Sequence, residues 1–327
     1  MNVENIDQLF NSFKEKNVLI IGDAMIDSYM WGRVERMSPE APVPVVEVDK
    51  YEDRLGGAAN VARNISELGA LPILFTVIGD DNRGKLFLDL MKKNNLPQNG
   101  ILISGTRKTT IKTRIIAQEK HQLRVDEEET SPIDNEEELI SLIQQNIEDA
   151  HVVILQDYNK GVLTPKIIHH VIQQANNNNI PTIIDPKKDN FNTYNECTLF
   201  KPNFQEIQQG LNIEINKDNE QELRDAAELV RKQLNAKSIL ITLSDKGICM
   251  KTHNDFYYIP AFKRNIIDVS GAGDTVLSLA SLLSSCSIND YDISKISSLA
   301  GGLVCEEIGV VPINKNKLLE EMKIIYT

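Results

Sequence analysis

The sequence predicts an α/β fold in three layers, with helices on both faces of a mostly parallel central sheet. Short apolar runs recur along the 327 residues, and most of the segments between them have helical spacing. Strands that are buried on both faces read as continuous apolar runs, so this alternation indicates a parallel sheet. The runs occupy residues 18–21, 73–78, 152–155, 182–184, 198–200 and 239–243.

Polar residues and glycines follow these predicted strands directly. They are Gly22 with Asp23, Gly79 with Asp80, Asp157, Asp185, Asn203, and Thr242 with Ser244. Ligands of open α/β sheets bind outside the carboxyl ends of the strands. We therefore expect a ligand site along this edge of the sheet.

Two segments break the alternation of strands and helices. Residues 28–55 and 107–126 are rich in β-forming residues and alternate partly between apolar and polar. We interpret them as a small separate β-layer over the edge of the sheet, which acts as a lid or a dimer surface. The alternative is that they form ordinary loops or edge strands.

The composition limits the partners of the protein. The chain has 47 acidic and 35 basic residues, which gives a net charge of −12 and argues against binding to nucleic acid or to an anionic membrane. The sequence contains neither a signal-peptide apolar region nor a run long enough to span a bilayer, so we expect a cytoplasmic protein. The four cysteines form no CxxC pair, and the histidines lack metal-binding spacing.

A glycine-rich turn, DVSGAGDTVLSL at residues 268–279, precedes a predicted buried helix. The first amides of a helix lack partners within it, so Gly271, Ala272 and Gly273 can present N–H groups to an anion. Asp274 would then place a carboxylate beside this anion hole, which suits the deprotonation of a hydroxyl during phosphoryl transfer. The alternative is that Asp274 only stabilises the start of the helix.

Three further motifs lie on the same predicted edge. In LGGAANVARN, Gly56 and Gly57 would let a ligand approach the backbone, and Asn60 would meet sugar hydroxyls. In DYNKG, Lys160 is available for a phosphate. In KPNFQEI, Asn203 and Glu206 would suit a magnesium–water network near nucleotide phosphates, or simply a helix cap.

Other common nucleotide and hydrolase motifs are missing. GDDNRGKL at residues 79–86 resembles a phosphate-binding P-loop but has Leu86 in place of the magnesium-binding Ser or Thr. No GxGxxG follows the first strand, and no GxSxG occurs. These absences argue against an NAD-dependent oxidoreductase and a serine hydrolase.

Two hallmark motifs resemble those of the ribokinase-type (PfkB) sugar kinases. They are GGAANVARNISELGA at residues 56–70 and DVSGAGDT at residues 268–275. Residues 22–48 (GDAMIDSYMWGRVERMSPEAPVPVVEV), 157–164 (DYNKGVLT) and 184–191 (IDPKKDNF) further resemble the kinase domain of bacterial D-glycero-D-manno-heptose 7-phosphate kinases. The resemblance covers nearly the whole chain. It implies one ribokinase-like domain over residues 1–327, with the lid at about 28–55 and 107–126.

The resemblance also implies roles for individual residues. Asp274 would be the base, with Gly271, Ala272 and Gly273 as the anion hole. The sugar would be held by Asp23, Asp27, Gly56, Gly57 and Asn60, and its phosphate by Arg36, Lys160 and Lys187. The residues that would bind the nucleotide and its magnesium are Asn203, Glu206, Thr242, Ser244 and Gly247. Glu206 would bind Mg²⁺ through water. A monovalent cation, K⁺ in many members, would lie near Asp268 and Ser270.

The implied reaction is transfer of the ATP γ-phosphoryl group to the anomeric hydroxyl of heptose 7-phosphate, on the way to ADP-heptose and lipopolysaccharide. The expected partners are a second copy of the chain, bound through the lid, and a separate nucleotidyltransferase. Two alternatives stay open. The acceptor could be another sugar or sugar phosphate, or the chain could be a sugar-phosphate sensor without catalytic activity.

Overall fold

The computed structural model describes residues 3–118, 120–286 and 288–326. Within these ranges the chain forms a large sheet with helices on both faces and a smaller second sheet. The helices are α1 (Val3–Ser12), α2 (Ala58–Leu68), α3 (Asn82–Lys93), α4 (Glu136–Gln144), α5 (Pro165–Asn177), α6 (Phe204–Leu211), α7 (Glu220–Gln233), α8 (Ala272–Ser284), α9 (Asp290–Val304) and α10 (Lys315–Ile325).

The strands that the structure describes belong to two sheets. They are β1 (Asn17–Gly22), β2 (Ala24–Met37), β3 (Pro44–Gly57), β4 (Leu71–Gly79), β5 (Ile101–Ser104), β6 (Ile111–Ala117), β7 (Lys120–Glu127), β8 (Val152–Gln156), β9 (Thr182–Asp185), β10 (Leu199–Phe200), β11 (Ser238–Thr242), β12 (Ile248–Lys251) and β13 (Phe256–Ile259). The large sheet has the order β13-β12-β11-β10-β9-β8-β1-β4-β5, and the small one has the order β3-β2-β6-β7.

The large sheet confirms the predicted fold class. All six predicted runs are strands of this sheet, and they pair in parallel. β12 and β13 are antiparallel additions at one edge, and β5 is a parallel addition at the other. The prediction missed these three edge strands, each of which is only four residues long.

Alternating side chains of the buried strands reach two separate cores. In β1, Val18 and Ile20 pack with apolar side chains of α1, α2, α3, α8, α9 and α10, whereas Leu19 and Ile21 pack with those of α4, α5, α6 and α7. This alternation follows from the two-residue period of a strand. The result is three layers, α/β/α, with the carboxyl ends of β1, β8, β9, β10 and β11 at one edge.

The small sheet is formed by the two segments that break the alternation. β2 and β3 are a long antiparallel pair, and β6 pairs in parallel with β2. β2 begins directly after Asp23, so the sheet grows out of the edge where ligands are expected. We call it the lid sheet.

The cysteines are free, and Cys197, Cys249 and Cys305 are buried. Burial raises the pKa of the Cys197 and Cys249 thiols to about 12, which makes them inert. In the described ranges, no helix is both long and apolar enough to cross a membrane.

Candidate active site

The first turn of α8 forms the centre of the site. Gly271 has φ 82°, a left-handed conformation that glycine adopts without strain, and it turns the chain into the helix. The first bond along the helix runs from the Thr275 amide to the Gly271 carbonyl, at 3.0 Å. The amides of Gly273 and Asp274 therefore have no partner within the helix and lie at the positive end of its dipole. This geometry suits an anion.

The Asp274 carboxylate is buried and is held by three side-chain donors. Asn60 Nδ2 donates to Oδ2 at 2.8 Å, while the Tyr158 hydroxyl and Gln156 Nε2 donate to Oδ1 at 2.9 and 3.3 Å. Asn60 lies on α2 and Gln156 ends β8, so three separate elements fix this one side chain. These hydrogen bonds fix the carboxylate in one position, and a general base must be held in position in this way.

Burial raises the pKa of Asp274 to about 6, and the hydrogen bond from Asn60 limits the rise. The charge of Asp185 adds to the rise. Gln156 Nε2 donates to Asp185 as well, at 3.3 Å, and Asp185 pairs with the buried Lys201 at 3.0 Å. A carboxylate with a pKa near 6 is mostly ionised at neutral pH but is more basic than an ordinary aspartate.

Asp23 has a different role from the predicted one. Its two oxygens accept hydrogen bonds from the backbone amides of Tyr158, Lys160 and Val162 at 2.8 to 3.0 Å. The side chain is 1% exposed. Burial raises its pKa to about 6 as well. Asp23 therefore fixes the loop that carries Tyr158 and Lys160, and the geometry does not favour the predicted contact with a sugar hydroxyl.

Asp27 and the paired glycines lie at the base of the lid sheet. Asp27 pairs with Arg114 of β6, whose guanidinium also lies over the ring of Tyr29. A side chain at Gly56 would have its Cβ 2.1 Å from Asp27 Oδ2, and one at Gly57 would have it 2.4 Å from the Asp23 carbonyl. The absence of side chains at the two glycines thus lets β3 lie close to Asp23 and Asp27 of the same chain. The sequence predicted that these positions are glycine because a ligand approaches the backbone, and these contacts support packing within the protein instead.

A cavity of about 780 Å³ opens on the other side of the α8 turn. The predicted nucleotide residues Asn203, Thr242, Ser244 and Gly247 line it, together with Ala272 and Gly273 of the anion hole. Phe262, Val276 and Cys305 supply apolar walls. A concave, mainly apolar site with a few polar groups is the usual form of a small-molecule site.

Asn203 and Glu206 form a helix cap at the edge of this cavity. The Asn203 side chain accepts from the Glu206 amide, and the Glu206 carboxylate accepts from the Asn203 amide, both at 2.8 Å. The capping alternative is therefore present in the structure. Glu206 also pairs with Lys187, whose ammonium lies 5.5 Å from the centre of the Tyr158 ring. Lys187 therefore lies between the Asn203–Glu206 cap and Tyr158, and its contact with the substrate phosphate stays a prediction.

The other two predicted phosphate ligands lie far apart. Lys160 pairs with Glu128 at 2.8 Å, next to the base of the lid sheet. Arg36 is exposed near the far end of β2, nine positions beyond Asp27, which corresponds to ~30 Å along an extended strand. Within one chain Arg36 therefore lies far from Asp27, and its contact with the substrate phosphate stays a prediction.

Comparison with known proteins places the chain in a family. Residues 15–314 match the model of the "pfkB family carbohydrate kinase". The chain belongs to the PfkB family of carbohydrate kinases. It is thus a phosphotransferase that acts on a sugar hydroxyl, which confirms the family and the enzyme class predicted from the motifs.

Curated relatives of this kinase include two proteins named "Bifunctional protein HldE". The one from Pelobacter propionicus is 34% identical over 330 residues, which cover 100% of the chain and 67% of the relative. The one from Helicobacter acinonychis is 38% identical over 296 residues, covering 90% and 64%. The kinase therefore spans about two thirds of the length of these relatives.

Solved structures share the fold of the kinase at low sequence identity. Phosphofructokinase-2 from Escherichia coli, in complex with potassium, has a TM-score of 0.79 at 16% identity and covers 95% of this chain and 99% of its own. Ribokinase from Arabidopsis thaliana, complexed with ribose and ATP, has a TM-score of 0.72 at 15% identity, covering 93% and 98%. The ribokinase-like fold is confirmed.

Of the two predicted cation ligands of the kinase, Asp268 already accepts hydrogen bonds from backbone amides. Asp268 accepts from the amides of Ser270 and Gly309, each at 2.9 Å. Among the residues described, no group of three or more His, Cys, Asp and Glu side chains could hold a metal. A monovalent cation at this loop would need backbone carbonyl oxygens as additional ligands. Mg²⁺ fits near Glu206 only with water and phosphate oxygens as its main ligands, which is its usual mode beside nucleotides.

Sequence reasoning missed several residues of this site. They are Arg114, Gln156, Tyr158 and Lys201, whereas Asp185 was expected at this edge of the sheet but without a role of its own. Gln156 and Asp185 end neighbouring parallel strands, so their closeness could have been inferred from strand position. Lys201 gave no such signal, because a lysine beside a buried strand usually reads as a surface residue.

Proposed function

We propose that this kinase transfers the γ-phosphoryl group of ATP to the anomeric hydroxyl of D-glycero-D-manno-heptose 7-phosphate and forms the 1,7-bisphosphate. The observation that supports this most directly is the buried Asp274 at the α8 turn, between the lid sheet and the cavity. An acceptor hydroxyl on the lid side and a nucleotide in the cavity would meet at this carboxylate.

The residues of the α8 turn divide the chemistry between them. Asp274 takes the proton of the acceptor hydroxyl, whose oxygen attacks the γ-phosphorus while the bond to the ADP oxygen breaks. The amides of Gly271, Gly273 and Asp274 bind the phosphoryl oxygens, whereas the amide of Ala272, the third predicted member of the anion hole, already donates to the Val269 carbonyl at 3.3 Å. Asn60, Gln156 and Tyr158 keep the carboxylate pointed at the acceptor. Thr242, Ser244 and Gly247 hold the nucleotide in the cavity.

Two ions belong to this proposal. Mg²⁺, bound to the ATP phosphates and near Glu206 through water, would neutralise charge on the transferring group. A monovalent cation near Asp268 and Ser270 would stabilise the loop that precedes the anion hole. The charged neighbours of this region, Lys187 and Lys201, add positive charge on the side of the phosphates.

The heptose acceptor is supported by the motifs shared with heptose 7-phosphate kinases and by the relatives named HldE. The product would then feed the synthesis of ADP-heptose for lipopolysaccharide, with a nucleotidyltransferase as the next enzyme. We place this chemistry in the cytoplasm, where ATP is available.

The lid sheet supports a homodimer. Tyr51, Met30, Ile115 and Leu123 occupy adjacent register positions across its four strands and share its outer face. Tyr51 is 66% and Leu123 58% exposed. A second copy of the chain, bound on this face, would remove these apolar side chains from water.

The acceptor is tested by measuring ADP release with magnesium-ATP. The panel is heptose 7-phosphate, fructose 6-phosphate, ribose and fructose, with Asp274→Asn as the matched inactive control. We expect a strong preference for heptose 7-phosphate that is lost in the variant. A preference for another member of the panel would show that this other compound, and not heptose 7-phosphate, is the acceptor. If the protein is folded but releases no ADP with any of the four compounds, the result would favour the alternative of a sugar-phosphate sensor.

A further inference from the structure

Two lysines converge on one carboxylate where the lid sheet returns to the main sheet. Lys112 of β6 contacts Glu128 Oε2, and Lys160 of the loop after β8 contacts Glu128 Oε1, both at 2.8 Å. The side chains of Lys112 and Lys160 are 14% and 12% exposed, and that of Glu128 is 28% exposed. We call these three residues the Glu128 bridge.

The Glu128 bridge lies on the face of the lid sheet that looks toward the site. Lys112 is in register with Asp27 of the neighbouring strand, so their side chains leave the sheet on the same face. The backbone amide of Lys160 is fixed by Asp23. The bridge therefore joins the inner face of the lid to the loop that also carries Tyr158.

The position of the bridge relative to Asp274 matches a substrate that is charged at its far end. Tyr158 donates to Asp274, and Lys160 follows two residues later, so the Cα atoms of these two residues lie at most ~7 Å apart. One short loop therefore carries both the residue that contacts the base and a lysine of the bridge. A sugar whose reacting hydroxyl meets Asp274 can place a phosphate at the two lysines.

The carboxylate of Glu128 has the properties of a resident counter-ion. Its partial burial alone would raise its pKa, but the hydrogen bonds from Lys112 and Lys160 lower the pKa below the ordinary value, so Glu128 is charged. It gives one oxygen to each lysine. A phosphate monoester offers three oxygens and carries about −1.5 to −2 charges at neutral pH, so it can replace a carboxylate between two ammonium groups.

We propose that Lys112 and Lys160 bind the phosphate of the sugar substrate, and that Glu128 occupies this subsite until the substrate phosphate displaces it. This rests on the proposed function only in that the acceptor is a sugar phosphate. Lys112 keeps a second partner, Asp126 at 2.9 Å, so it stays in place when Glu128 leaves. When the substrate phosphate displaces Glu128, the ion pair between Glu128 and Lys160 of the loop breaks. Binding of the substrate would therefore change the contact between the lid sheet and this loop.

The decisive measurement is the KM for heptose 7-phosphate in Lys112→Met, Lys160→Met and Glu128→Gln. Each lysine variant should raise this KM roughly tenfold, the effect of losing one charge-assisted contact. Glu128→Gln should lower it about two- to fivefold, because a competing ion pair is removed. The KM for ATP should stay constant throughout.

The opposite directions separate this subsite from a structural bridge. If Glu128 only fastened the lid, Glu128→Gln would raise the KM in the same direction as Lys112→Met, and that result would overturn the proposal. Unchanged KM values in all three variants would overturn it too. Asp49→Asn is the matched control, since it removes an exposed lid carboxylate paired with Arg33. It should leave both KM values as they are.

A second readout does not depend on turnover. Inorganic phosphate should raise the melting temperature of the wild type, less so that of Lys112→Met, and more so that of Glu128→Gln. If phosphate behaves in this way while heptose 7-phosphate is not phosphorylated, the subsite stands and the proposed acceptor fails. If heptose 7-phosphate is a good substrate and phosphate stabilises all variants equally, the acceptor stands and the subsite fails.

Discussion

Asp23 and Asp274 both accept hydrogen bonds from the loop that follows β8, but they have different roles. Burial raises the pKa of both carboxyl groups to about 6. Asp23 receives backbone amides, which cannot move without the loop. Asp274 accepts from side chains, and the side-chain oxygen Oδ1 of Asn60 beside it has no hydrogen-bond partner among the described atoms. Only Asp274 therefore lies in surroundings that can rearrange around a substrate.

We predict that Asp274→Asn abolishes most activity while keeping or raising stability. Turnover should fall roughly 10²- to 10⁴-fold, the usual contribution of a general base. The folded pKa near 6 lies above the unfolded value of 3.8, so the ionisation of Asp274 destabilises the folded wild type. The stability of the wild type therefore falls as pH rises from the unfolded pKa to the folded pKa, and it stays lower at higher pH. At neutral pH the cost is up to ~3 kcal/mol. Asn60 can flip its amide to accept from the new side chain.

The measurements are kcat and the melting temperature at several pH values. The stability advantage of Asp274→Asn should be largest above pH 6 and should vanish toward pH 4, where the wild-type carboxyl is protonated. Asp189→Asn, an exposed change at the same edge of the sheet, should alter neither quantity. Near-normal turnover in Asp274→Asn, or an advantage independent of pH, would contradict the assignment.

At the scale of the element, the start of α8 depends on a glycine for two separate reasons. Gly271 has φ 82°, and an added Cβ would lie 3.3 Å from Asn60 Nδ2 and 3.4 Å from Val310. Gly69, which ends α2, has φ 101°, and its added Cβ would meet only the flexible end of Lys315 at 3.0 Å and the Lys14 side chain at 3.8 Å. The two glycines share the backbone requirement but not the contact with the site.

We therefore predict that Gly271→Ala and Gly69→Ala separate strain from chemistry. Each should lower the free energy of unfolding by about 1–2 kcal/mol, because alanine is strained at positive φ. Only Gly271→Ala should also lower kcat, since its methyl group pushes on the amide that orients Asp274. Denaturant melts and steady-state rates test this. An equal loss of kcat in both variants would show that the rate follows stability alone.

The sequence predicted elements well wherever one local pattern determined them. The six buried runs, the helix after residue 271 and the two β-rich segments follow from hydrophobic period and glycine placement. The predicted roles of Asp23, Arg36 and Lys187 depended instead on which atoms face each other in space. Asp23 was assigned to sugar, yet three amides from residues 158 to 162 occupy it. No local pattern encodes such a long-range contact.

At the scale of the whole molecule, the lid sheet separates charge from apolar surface. Its inner face carries Asp27, Lys112 and Arg114, which pair with one another or with neighbouring acids. Its outer face carries the apolar side chains of Tyr51, Leu123 and Val125, which are exposed. The chain as a whole carries a net charge of −12, so this apolar face differs from the rest of the surface. A four-stranded sheet needs a covered face to be stable, and the inner face is mainly polar. The outer face is therefore the one that a second copy would cover.

The homodimer is tested by placing a charge on this face. Leu123→Glu should shift the kinase to a monomer in sedimentation velocity, because a buried unpaired carboxylate opposes association. Leu229→Glu is the matched control, since Leu229 of α7 is 49% exposed, close to the 58% of Leu123, but lies on the main body. It should leave the dimer intact. If wild type and both variants sediment as monomers, the outer face is an ordinary exposed surface. If Leu123→Glu alone dissociates, any accompanying rise in the sugar KM would show that the partner also keeps the lid in its working position.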